Sequence, residues 1–115
     1  MSVLGRPVIE QFFQTVMADL NYNGWSLRWT ESDAFCWRSE KRIDICPMGD
    51  LDECKQMLLH EIAHIEIVEG LGSQHTLRFW QRLQELTKKY LDSDLSEYQR
   101  EMAFTYCPEF DITKG

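Results

Sequence analysis

The chain has 115 residues, 43% of them hydrophobic and 27% charged, with a formal net charge of −7, a balance suited to one globular core. No apolar run approaches the ~20 residues that cross a bilayer. The acidic balance also argues against a general nucleic-acid surface, which needs a basic face where the longest basic cluster here is Lys88-Lys89. Without repeats or low-complexity linkers, residues 1–115 read as a single domain, expected to be monomeric. Met1 to Pro7 carries no apolar segment followed by small residues, so a cytoplasmic location is expected.

Read in chain order, Pro7 to Leu20 predicts a first helix. Pro7 suits a first turn, and Val8, Ile9, Phe12, Phe13, Val16, Met17 and Leu20 recur at helical spacing before Asn21 and Asn23-Gly24 end the run. Three short period-two segments follow: Trp25/Leu27/Trp29, Phe35/Trp37 and Ile43/Ile45. Their short connectors, Glu31-Ser32-Asp33 and Glu40-Lys41, predict a three-stranded antiparallel meander with the Trp and Phe side chains on its core face. Pro47, Gly49 and Asp50 break the sheet. A second helix is expected from Leu51 to Glu69, apolar nearly all round and therefore buried, with Gly70 and Gly72 as stops. A third runs from near Gln74 to Leu91 with Leu77, Trp80, Leu83 and Leu86 on one face. Asp94-Leu95-Ser96-Glu97 has capping-box spacing and opens a fourth, to about Tyr106. The fold class is α+β.

Cys36, Cys46, Cys54 and Cys107 form no C-x-x-C pair, so a zinc ribbon is not indicated, and thiols are expected in a reducing compartment. A sharper alternative brings Cys46 or Cys54, close in sequence to the second helix, to a metal.

All three histidines lie between positions 60 and 75. His60-Glu61-Ile62-Ala63-His64 is an H-E-x-x-H pattern: histidines four apart share a helix face and can grip one Zn²⁺, while Glu61 is rotated away from the ligand face, towards a metal-bound water. As plain core residues, the two histidines would need separate hydrogen-bond partners, and Glu61 would carry a desolvation cost. The third ligand has two solutions. His75, after the glycine turn 70–73, can return to the metal if the chain reverses there; the metzincin position, six residues after His64, is Gly70, which excludes that pattern. The rival ligands are Glu97 and Glu101. Glu66 and Glu69 read as partners of the ligands or as surface charges.

His60-Glu61-Ile62-Ala63-His64 followed by His75-Thr76-Leu77-Arg78-Phe79-Trp80 resembles the SprT-like and YgjP-like metallopeptidases, which pair H-E-[LI]-x-H with a later H-x-x-x-F, often F-W. The likeness covers about residues 43–83 and implies a minimal gluzincin-like core: a Zn²⁺ peptidase with His60, His64 and His75 as ligands, Glu61 as catalytic acid/base, and a protein or peptide as substrate. It further implies that the strand near Ile43–Cys46 takes the substrate as an added strand. Unlike longer SprT relatives, the chain shows no zinc ribbon or DNA-binding part. A weaker resemblance, to ImmA/IrrE-type peptidases, rests on Glu97 to Phe104 and implies a repressor-cleaving regulator. A zinc-binding regulatory module without catalysis is the other alternative. By position alone, Tyr98 and Tyr106 are candidates for steadying an oxyanion.

Overall fold

The computed structural model describes residues 5–47, 49–67 and 75–110. Its elements are α1 (Arg6–Asp19), β1 (Ser26–Trp29), β2 (Phe35–Trp37), β3 (Arg42–Ile45), α2 (Leu51–Glu66), α3 (Leu77–Leu91) and α4 (Glu97–Tyr106). This is the α+β class expected. The chain forms two compact units, 1–62 and 63–115, and the boundary falls inside α2.

In the first unit, α1 begins with proline in its first turn, where the missing N–H costs nothing. It buries Ile9, Phe13, Val16 and Met17, while Val8 faces solvent. Asn21 and Gly24 take left-handed backbone at φ 62° and 82° and turn the chain into β1.

The sheet departs from the expected meander. Its order is β1-β3-β2, with β1 parallel to β3 (Leu27 opposite Ile43) and β2 antiparallel to it (Cys36 opposite Ile43). Alternation assigns faces to side chains but carries no information on which strands become neighbours. The expected core face of β2 is also inverted. Phe35 (52% exposed) and Trp37 stand out towards solvent, and half-buried Cys36 faces the other way.

Asp44, on the same face as Phe35, supplies the reason. It is 3% exposed on the central strand. Its carboxylate accepts from Arg28 (Nε 3.1 Å, Nη2 2.7 Å), Trp37 (Nε1 2.8 Å) and Arg42 (Nε 2.9 Å). Donors from both flanking strands therefore converge on a charge that could not stay buried alone. Burial pushes the Asp44 pKa up, but these donors together outweigh it and hold the carboxyl below its ordinary value. Since β3 is paired on both sides, it has no open edge, and the expected docking of a substrate strand at Ile43–Cys46 does not fit this topology.

Gly49 (φ 58°) precedes α2; a side chain there would be strained by the left-handed backbone and would meet Glu53 Cβ at 3.1 Å. Asp50 then caps the helix, its Oδ1 accepting from Glu53 N–H at 2.9 Å. The helix is buried over long stretches, including Cys54, Met57, Leu58, Leu59, Ile62 and Ala63. It ends at Glu66, three residues short of the predicted boundary; Glu69, Gly70 and Gly72 lie outside the described residues.

In the second unit, Glu66 at the end of α2 receives two bonds from the Arg82 guanidinium of α3 (Nη2 to Oε1 3.1 Å, Nε to Oε2), and Arg82 also reaches Glu85 at 3.1 Å. Helix α3 starts at Leu77 rather than near Gln74, with Thr76 as N-cap, and buries Phe79, Trp80, Leu83 and Leu86. Helix α4 begins at Glu97, two residues later than a cap at Asp94 would start it; its cap is Ser96, which accepts from Gln99 N–H. Among the described residues, no helix is long and apolar enough to cross a membrane.

Candidate metal centre

His60, Glu61 and His64 lie on the last turns of α2, where burial and helical phase set their directions. His60 is 3% exposed and Glu61 6%. His75 comes from the chain just before α3, and its place follows from the capping chemistry of that helix. Thr76 Oγ1 accepts from Phe79 N–H at 3.3 Å. That leaves His75 at the position before the cap, where a side chain packs back on the fourth helical residue, here Trp80. The His75 and Trp80 rings are indeed stacked, 5.6 Å apart at 25°.

One ligating nitrogen from each of His60, His64 and His75 lies within 4.8 Å of the other two. Three nitrogens around one tetrahedral ion at ~2.1 Å are about 3.4 Å apart, so small ring rotations close the set. Three imidazoles of this spacing can hold a metal ion. No other group of at least three His, Cys, Asp or Glu side chains among the described residues has such spacing. Glu97 and Glu101, the rival third ligands, are exposed on α4 and lie outside the group. Cys46 and Cys54 are outside it as well, and no disulfide joins the cysteines.

Aromatic rings pack around the ligands. Phe79 stacks on His64 (4.3 Å, 23°) and meets His75 edge-on (5.1 Å, 89°). Tyr106, from the last turn of α4, stacks on His75 (4.8 Å, 18°). His64 and His75 approach each other edge-to-face at 4.9 Å. Of these rings the sequence motif contains Phe79 and Trp80; Tyr106, which the sequence offers by position as a candidate for steadying an oxyanion, instead stacks on His75, and Tyr98 is exposed on the surface of α4.

Electrostatics follow from the burial. Desolvation lowers the His75 pKa, which favours the neutral imidazole that binds metals. Desolvation raises the Glu61 pKa to about 8, so without a nearby cation this carboxyl keeps its proton at neutral pH. Cys36 on β2 is pushed up to about 11, first by burial and then by the charge of Glu61, with Arg38 opposing. That coupling places Cys36, which sequence spacing did not single out, in the electrostatic neighbourhood of Glu61.

Comparison with known proteins adds no relative: no family model, curated protein or solved structure matches the chain.

Proposed function

We propose that the protein is a zinc-dependent peptidase in which His60, His64 and His75 bind Zn²⁺ and Glu61 is the general base and acid. The observation that carries this reading is the convergence of three imidazole nitrogens within 4.8 Å beside a carboxyl that follows the first ligand directly in sequence. The donor set suits zinc: three neutral imidazole nitrogens are the ligand type of catalytic zinc sites, which keep a fourth position for water. The likeness of His60–His64 and His75–Trp80 to the SprT-like and YgjP-like metallopeptidases supports the same choice.

When bound, zinc supplies Lewis acidity, acidifying a water in the open position and polarising a carbonyl. The remaining chemistry belongs to the chain. A dication nearby favours the charged form of Glu61 and offsets the desolvation that otherwise keeps it protonated. The Glu61 carboxylate then takes a proton from the attacking water and delivers it to the leaving amine. The substrate class is a protein or peptide. With β3 enclosed, an extended substrate pairing with this sheet would use an outer strand, β1 or β2.

The test is Glu61→Gln in zinc-loaded protein, assayed on a fluorogenic peptide library. Metal content should be unchanged and turnover should fall by about 10²–10⁴-fold, the usual weight of general acid–base catalysis. Cleavage at the wild-type rate contradicts the assigned role. The burial of Glu61, 6% exposed, favours a second reading, a zinc-binding module without catalysis. Zinc binding by the wild type with no hydrolysis across the library would select it.

A further inference from the structure

His75 is the ligand with the least support from its own backbone. His60 and His64 are fixed by α2, whereas His75 stands before the first residue of α3, where rotation about its side-chain bonds is not limited by a helix. The rings packed on it are placed to set its orientation. Trp80 is one, and it arrives locally through the capping geometry of α3. The other near-parallel ring, Tyr106, is 31 positions further along the chain and belongs to a helix that contributes no member of the histidine group.

We propose that Tyr106 is a positioning residue for the metal centre: its ring, stacked on His75 at 4.8 Å and 18°, completes with Trp80 an aromatic clamp that holds the imidazole in its ligating orientation. The proposal rests on the metal-site reading above. A quarter-turn of the imidazole would drive its edge into rings that now lie within 25° of its plane, so stacking with both penalises that rotation. The Tyr106 side chain adds little to the core, since the residue is 53% exposed. Its backbone is fixed independently: Cys107 N–H closes the helix on the Ala103 carbonyl at 2.7 Å, and Phe110 N–H then bonds the Cys107 carbonyl at 2.9 Å. A ring carried on so fixed a backbone yet so exposed has its clearest contact in His75. Helix α4 thus serves the site by pressing a flat surface on a ligand, where the sequence offered its carboxylates Glu97 and Glu101 only as rivals to His75.

The experiment is Co²⁺ titration of the metal-free full chain, with affinity read by chelator competition and geometry by the visible absorption of the ion. Tyr106→Ala and Tyr106→Leu, the latter keeping bulk and helix propensity without a flat face, should each weaken Co²⁺ binding by about 10-fold or more, as removal of a ligand's orienting partner usually does, and alter the absorption band. Tyr106→Phe, which keeps the ring, should restore both to wild type. In a His75→Ala background Tyr106→Ala should have no further effect. Unchanged affinity and absorption in both Tyr106→Ala and Tyr106→Leu overturns the clamp. So does an equal loss whether or not His75 is present. Failure of the wild type to bind Co²⁺ instead overturns the metal-site reading, and the clamp with it.

Discussion

Glu61→Gln should stabilise the metal-free protein at neutral pH, although it removes a residue assigned to catalysis. Glu61 is 6% exposed, and burial raises its pKa from 4.5 to about 8. Between those values the folded chain holds a proton that the unfolded chain releases, so the folded state is favoured most below pH 4.5 and loses that advantage as pH rises towards 8. Each unit of pH in that window is worth about 1.4 kcal/mol. From 4.5 to pH 7 the wild type therefore loses about 3 kcal/mol. Glutamine has nearly the same shape and is neutral throughout, so its variant escapes the loss. Urea unfolding in excess chelator should give similar stabilities near pH 4.5 and a gap in favour of Glu61→Gln that widens to about 3 kcal/mol at pH 7. Added zinc should shrink the gap, because a nearby dication favours the carboxylate. A gap that does not vary with pH, or that favours the wild type at pH 7, would refute this origin for the effect.

Three further outcomes are expected. Asp44→Ala should cost about 2 kcal/mol in urea unfolding above pH 4; this is less than the 3–5 kcal/mol typical of a broken buried pair, because Arg28 is largely exposed and can be solvated. Since Asp44 titrates below its ordinary 3.8, its contribution should fade in the wild type as pH falls below that value, and a difference that does not narrow at all on acidification would contradict it. Thr76→Ala should cost about 1 kcal/mol as a lost helix cap and should weaken metal binding several-fold by loosening His75, measured by chelator competition; a stability loss with unchanged affinity would separate the cap from the site. Glu97→Ala and Glu101→Ala should leave bound metal unchanged, and metal loss in either would reinstate the carboxylate as third ligand.

The helices were largely legible because each announces itself locally. Ile9, Phe13, Val16 and Met17 recur at helical spacing and Pro7 suits a first turn, whereas the caps were misplaced: Asp50, read only as a sheet breaker, caps α2, and Ser96 rather than Asp94 caps α4. The sheet was legible only as strands. Neighbour order depends on non-local pairing, and the inverted face of β2 depends on Asp44, whose burial requires donors from β1 and β2 together; an Asp between two isoleucines otherwise reads as the solvent side of an alternation. At the site, His60, Glu61 and His64 follow from helical periodicity alone. His75 was one of two solutions, and its position reflects a capping motif, Thr76 with Trp80, whose residues were in view while their geometric consequence was not. Tyr106 and Cys36 lie far along the chain from His75 and Glu61; no spacing rule shows that the Tyr106 ring packs on His75 or that Cys36 feels the charge of Glu61.

The most direct test of the metal centre is the zinc bound per chain in the wild type and in His60→Ala, His64→Ala and His75→Ala, each loaded with excess zinc and desalted before elemental analysis. About one zinc in the wild type, lost or greatly reduced in all three variants, is the expected result. Retention of a full equivalent by His75→Ala, or absence of zinc from the wild type, would contradict a three-histidine centre.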